Sequence, residues 1–157
     1  AKLNEIHAAV ALTNLDEISQ LVARNKRRYR QYQSELQAIP GIRLVEFDES
    51  FSTSYKNVVV ELLDSWPLKR VETVDILNAE NILARAYYSP PLHRKRMSYP
   101  HVPTSLSVTD SLSERFMLLP CGDHVELSDI GEVIRILEFI GSNGVEIASR
   151  LEEREAN

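Results

Sequence analysis

An apolar stripe at helical spacing occupies residues 4 to 39 and is cut off by Pro40-Gly41, so the chain is committed to helix before any strand pattern begins. Ile6, Ala9, Val10 and Thr13 share one stripe, and Ile18, Val22, Tyr29, Tyr32 and Leu36 follow in steps of four, seven, three and four. Asn14, with Glu17 three residues on, has the form of a capping box. It predicts a joint, with a short helix ending near Leu12 and a longer one restarting at Leu15. A chain that opens this way, without a leading strand or turn, reads as a piece of something longer.

Beyond the stop the pattern changes period. Ile42-Arg43-Leu44-Val45 and the run from Lys56 to Leu63 are short, β-branched and bounded by turn residues, which predicts two strands, the second more buried. Pro67 falls where the first turn of a helix tolerates it, and Leu68, Val71, Val74 and Leu77 carry that helix to Glu80. Ile82 to Tyr87 returns as a strand. Ser107, with Asp110 three residues on, is expected to cap a helix to Arg115, followed by a short buried strand from Phe116 to Pro120. Ser128 caps a last helix with Ile130, Val133, Ile134, Leu137 and Ile140 on one face, which Gly141 ends. A charged amphipathic tail follows. The class is α+β: a helical arm over 1–40, a small α/β sheet domain over 41–141, and a tail over 142–157.

The 157 residues, 43% apolar and 26% charged, are enough for a packed core without metal or disulfide support. A net charge of −5 repels polyanions, and the one basic run, Arg24, Lys26, Arg27, Arg28 and Arg30, reads as a solvated helix face. No nucleic-acid partner is expected. No stretch approaches the roughly 20 apolar residues that span a bilayer, so no membrane partner is expected either. Cys121 is the only cysteine, which rules out an internal disulfide and leaves the reducing cytoplasm as the default location. Cys121 follows Pro120 and reads as a partly buried small residue rather than a nucleophile. His93, His101, Cys121 and His124 carry zinc-competent atoms, but their spacing matches no recurrent zinc pattern, and no metal is expected. Neither glycine-rich phosphate loop occurs.

Residues 89 to 105 hold four of the seven prolines and few apolar side chains, the mark of a long exposed loop of the kind that carries function. Its entry, Arg85-Ala86-Tyr87-Tyr88-Ser89-Pro90-Pro91-Leu92-His93-Arg94-Lys95-Arg96, runs a strand into a rigid turn that presents an imidazole and three cations. Arginine forks and lysine point charges suit an anionic ligand such as a phosphate, and Tyr87 or Tyr88 suits stacking on a sugar or base.

Two stretches together resemble a known family. Lys2-Leu3-Asn4-Glu5-Ile6-His7-Ala8-Ala9-Val10-Ala11-Leu12 looks like the segment that follows the catalytic lysine in the DegT/DnrJ/StrS family of sugar aminotransferases, where the pattern runs Asn-x-Arg/Lys-Met/Leu-Ser/Asn-Glu-Ile-x-Ala-Ala. The run from Arg85 to His93 is similar to the family's aromatic-x-Pro-Pro-Leu-His turn. Ser107 to Ile140 resembles its later helix, Leu-Pro strand and final amphipathic helix. Over nearly all of residues 1 to 141 the chain resembles the C-terminal part of a fold-type I, pyridoxal-phosphate-dependent enzyme.

The resemblance implies a helical arm followed by a small, mostly antiparallel sheet covered by helices. It implies transfer of an amino group, usually from glutamate, to a keto group on a nucleotide-linked sugar or cyclitol, by a homodimer using pyridoxal phosphate held on a lysine. None of Lys2, Lys26, Lys56, Lys69 and Lys95 lies in the family's lysine motif, so no catalytic residue is assigned and the chain alone is expected to be silent. Lys2 takes the motif's Arg/Lys position and is expected near the cofactor or subunit interface, while Asn4 caps the opening helix. His93, Tyr87 and Tyr88 align with the turn toward the active-site mouth and are expected on the substrate side. Arg94, with Lys95 and Arg96, lies beyond the motif and is expected to help hold the nucleotide diphosphate. The alternative is a non-catalytic assembly or binding module of the same fold, with the Ile6/Ala9/Val10 stripe as its contact.

Overall fold

Asn4 starts the first helix: its Oδ1 accepts the His7 backbone N–H at 2.9 Å, in the computed structural model that describes residues 4–51, 53–100, 102 and 104–155. Helix α1 then runs from Glu5 to Leu36, 32 residues, without a break. The joint expected between Leu12 and Leu15 is absent. Thr13 Oγ1 turns back to the Ala9 carbonyl at 3.1 Å, and residues 11–20 are all exposed, so no tertiary contact pulls the chain out of the helical ladder there. The two halves of α1 differ in surroundings. Ile6, Val10 and Ile18 are 76%, 56% and 48% exposed, whereas Tyr29, Tyr32 and Leu36 are core residues.

The sheet comprises β1 (Ile42–Leu44), β2 (Val58–Leu62), β3 (Arg85–Ala86) and β4 (Phe116–Leu119), in the order β1-β2-β4-β3 with every pair antiparallel. Register places Val58 against Leu119 and Val60 against Met117, and alternation sends these four, with Ile42 and Leu62, to one buried face. Helix α1 packs on β1, α2 (Arg70–Ala79) packs on β3 and β4, and α4 (Leu127–Glu155) packs against both helices, while α3 (Ser107–Arg115) leads directly into β4. The strand expected over 82–87 shrinks to two residues. Asn81 adopts φ +61°, and the Ile82 N–H bonds back to the Leu77 carbonyl at 2.9 Å, so Ile82 belongs to the end of α2.

Several expected helix ends move. Pro67 stands outside α2, whose start is fixed by the Glu72 carboxylate accepting the Lys69 N–H at 2.7 Å. Ser107 is the first residue of α3 and not its cap; the Asp110 carboxylate is engaged by His93 and Arg94 instead of the helix start. Ser128 is likewise inside α4, where Asp129 accepts the Glu126 N–H at 2.8 Å. Gly141 does not end α4, which continues to Glu155. The glycines at 141 and 144 are contact surfaces: a Cβ at 141 would lie 3.2 Å from the Trp66 ring, and one at 144 would lie 2.1 Å from Pro67 Cγ.

The basic run on α1 is also not a solvated face throughout. Arg28 is buried, donating through Nε to the Val125 carbonyl at 2.6 Å and through Nη1 to Asp123 at 3.2 Å. Arg24 forks onto the same carboxylate at 2.9 and 2.8 Å. This pair fastens α1 to the turn before α4 and holds the Asp123 carboxyl down at about 2, chiefly through the Arg24 hydrogen bond. A lowered native value means that the stabilisation is complete above the unfolded value and is lost as acid protonates the folded state. Asp123→Asn is therefore expected to lower the urea midpoint by a constant amount from pH 7 to about 5. The gap to the parent protein should close between about pH 4 and 2; a pH series of urea titrations checks it.

Candidate functional site

The loop singled out in the sequence leaves the sheet at β3. Tyr87 still donates its N–H to the Phe116 carbonyl at 3.1 Å, so the loop is anchored to β4 one residue beyond the strand. Tyr88 then takes φ +55°, a left-handed conformation that costs a bulky side chain on the order of 1 kcal/mol or more, and it projects 72% exposed. The Tyr87 and Tyr88 rings lie 4.7 Å apart at 57°. Leu92–Arg94 forms a single 3₁₀ turn, with the Arg94 N–H bonded to the Pro91 carbonyl at 2.9 Å.

That turn is latched to α3. His93 Nε2 lies 2.9 Å from Asp110 Oδ1, and the His93 side chain is only 8% exposed. Arg94 grips the same carboxylate with both arms, Nε at 3.0 Å and Nη2 at 2.6 Å. Arg94 and, less strongly, His93 hold the Asp110 carboxyl below the usual range. The structure thus brings Tyr87 and Tyr88 together, and His93 and Arg94 together. Arg94 spends its fork on Asp110, whereas Lys95 and Arg96 are exposed and make no ion pair among the described residues. Lys2 lies outside the described residues.

Asp110 is the residue of this group that sequence reasoning passed over, because its spacing from Ser107 reads equally as half of a cap. The Arg24–Arg28–Asp123 cluster was also missed, being a contact between segments 95 or more residues apart. A cavity of about 520 Å³ opens at the end of the sheet, lined by Asn57, Ile82, Pro120, Cys121 and Val133 among others. Cys121 is half-buried there, with Sγ 3.4 Å from the Tyr55 carbonyl, and burial pushes its thiol up. It is therefore a protonated packing residue at neutral pH, as read from the sequence. Among the described residues no group of three or more His, Cys, Asp or Glu is placed to hold a metal; His101 lies outside them.

Residues 1–138 match the DegT/DnrJ/EryC1/StrS aminotransferase family. The chain belongs to this family. The dTDP-4-amino-4,6-dideoxy-D-glucose transaminase of Escherichia coli is 25% identical over 122 residues, 76% of this chain and 33% of that protein. The crystal structure of DesI in the presence of its TDP-sugar product superposes with a TM-score of 0.86 at 30% identity, over 97% of this chain and 39% of that one. DesV of S. venezuelae, solved in complex with a ketimine intermediate, superposes at 0.75 and 24% identity, over 89% and 37%, and shows the same fold. The chain spans about a third of the length of the curated relatives it matches.

The DegT/DnrJ/EryC1/StrS family is pyridoxal-phosphate-dependent, and the α+β fold read from the sequence is the one found. The described residues do not fit a covalent anchor for that cofactor. A Schiff-base lysine is made nucleophilic by desolvation or a neighbouring cation. Lys26 pairs with Glu49 at 3.9 Å above the Tyr55 ring, Lys69 pairs with Glu72 at 3.4 Å, and Lys56 and Lys95 are exposed. Among the described residues no helix is long and apolar enough to cross a membrane.

Proposed function

We propose that this chain is the C-terminal region of a cytoplasmic, homodimeric pyridoxal-phosphate aminotransferase that aminates a nucleotide-linked keto-sugar, with glutamate as donor. In this reading residues 1–40 face the large domain and the twin subunit, residues 41–141 form the small domain, and 142–157 extend it. The cofactor supplies the electron sink for amino transfer and is held by residues elsewhere in the complete protein. The chain's own part is the substrate-side wall. Tyr88, with Tyr87 behind it, offers a flat face to the base or sugar, and Lys95 and Arg96 offer uncommitted charge to the diphosphate.

The observation that carries the reading is Tyr88, a large aromatic held out in solvent on a left-handed backbone at the end of a sheet strand. Strain of this kind clusters at functional sites. The test is to incubate the protein that carries this chain with pyridoxal phosphate, glutamate and a dTDP-4-keto-6-deoxy-sugar, and to follow aminated product by mass spectrometry. Tyr88→Ala is expected to raise KM for the nucleotide sugar about tenfold, the loss of a stacking contact worth roughly 1–1.5 kcal/mol, and to leave KM for glutamate unchanged. Absence of amination with every nucleotide keto-sugar offered overturns the reading.

A further inference from the structure

Asp110 is the hub of the latch between the 92–94 turn and α3. Its Oδ1 receives His93 Nε2 at 2.9 Å and Arg94 Nε at 3.0 Å, and its Oδ2 receives Arg94 Nη2 at 2.6 Å. The two-armed guanidinium contact fixes the plane of the carboxylate as well as its position. Because Arg94 keeps the carboxyl ionised at neutral pH, both oxygens are acceptors only. The imidazole nitrogen facing them must then carry a proton. In a neutral histidine that leaves Nδ1 bare, with a lone pair available. Nδ1 makes no hydrogen bond among the described residues, and it is not one of the buried side-chain atoms left without a partner, Arg70 Nε and Arg115 Nε. The ring is buried, yet this edge remains open.

We propose that Asp110 is the positioning residue of the site: braced by Arg94, it locks His93 in the Nε2–H tautomer and presents Nδ1 as an acceptor for a hydroxyl of the sugar substrate. The assignment rests on the reading that the 87–96 loop faces substrate. It also gives Arg94 a different task from Lys95 and Arg96, since a fork occupied by Asp110 orients the histidine and leaves diphosphate contact to its two neighbours. An acceptor fixed on a buried ring discriminates between sugars that do and do not place a hydroxyl there. A site built around one such hydrogen bond rejects the ligand that lacks it.

The test has two arms. In the first, the protein carrying this chain is labelled with ¹⁵N-histidine and its imidazole ¹⁵N–¹H correlations are recorded at pH 8, with His93→Gln identifying the signal. The expected result is a single Nε2–H tautomer whose Nε2 proton is protected from exchange. Asp110→Ala should abolish that protection, and Asp110→Asn, which keeps the size, should weaken it. An Nδ1–H form in the parent protein, or a His93 signal unmoved by Asp110→Ala, overturns the assignment.

In the second arm, Asp110→Ala is expected to raise KM for the nucleotide sugar about tenfold with KM for glutamate unchanged, and Asp110→Glu to restore most of it. Equal loss toward both substrates overturns the positioning role. Protection of the Nε2 proton together with no nucleotide-sugar turnover in the parent protein leaves the tautomer lock standing and defeats the proposed function instead.

Discussion

Gly144→Ala is expected to destabilise the domain by about 2 kcal/mol, a fall of roughly 4–8 °C in melting temperature for a chain of this size. A methyl at 144 would lie 2.1 Å from Pro67 Cγ and 2.4 Å from Pro67 Cβ. The pyrrolidine ring has no rotamer by which to swing aside, so either α4 or the turn at 66–67 must shift. Overpacking at such distances falls at the upper end of about 1–3 kcal/mol. Alanine recovers only roughly 1 kcal/mol of helix propensity, which leaves the net loss. Gly131, in the same helix, is the control: a Cβ there meets nothing within 4 Å, and Gly131→Ala should stabilise by up to about 1 kcal/mol. Thermal melts of the two variants should move in opposite directions; a shared direction would contradict the packing account.

Glu61→Ala carries the second large effect. The Glu61 side chain is 4% exposed and bridges three elements: Arg43 of β1 binds its Oε2 through Nε at 3.1 Å and more closely through Nη2, and Arg115 at the end of α3 reaches Oε1 at 2.8 Å. Charge-assisted hydrogen bonds contribute about 1.5–3 kcal/mol each. Arg43 is 64% exposed and recovers water when its partner is removed, so most of the loss falls on Arg115, whose Nε is already buried without a partner. The expected cost is about 2 kcal/mol in urea titration, with faster amide exchange over residues 107–119 as α3 loses its tie to the sheet. Glu61→Gln keeps the shape and should recover less than half. An unchanged midpoint in Glu61→Ala would show that the bridge contributes nothing net, as some buried ion pairs do.

The parts of this fold legible in the sequence are those encoded by local period. The β-branched run at 58–62, the strand at 116–119 and the apolar face of α4 were placed within a residue or two, because alternation and the three-to-four repeat are set by which side faces the core. Several misreadings involve residues whose role depends on a distant partner. Gly141 looks like a stop signal until the Trp66 ring is brought against it. Asp110 looks like a cap until the loop folds back to give it His93 and Arg94. Arg28 looks like a surface cation until the Val125 carbonyl and Asp123 arrive. At the loop the tyrosine pair and the Pro-Pro turn were visible as residue types, but the latch that orients His93 was not, since it joins positions 17 apart that no local period links.

The unbroken course of α1 has a mechanical consequence. Its rear half is locked into the core by Tyr29, Tyr32 and Leu36 while its front half stands clear, so the helix behaves as a lever with no pivot of its own. At 1.5 Å per residue the free half reaches about 25 Å beyond its support. A tilt of the sheet by roughly 5° therefore sweeps Ile6 through about 2 Å. The same tilt carries the entry of the loop bearing Tyr88 with it, because α1 packs on β1 and the Tyr87 N–H is bonded to β4 of the same sheet.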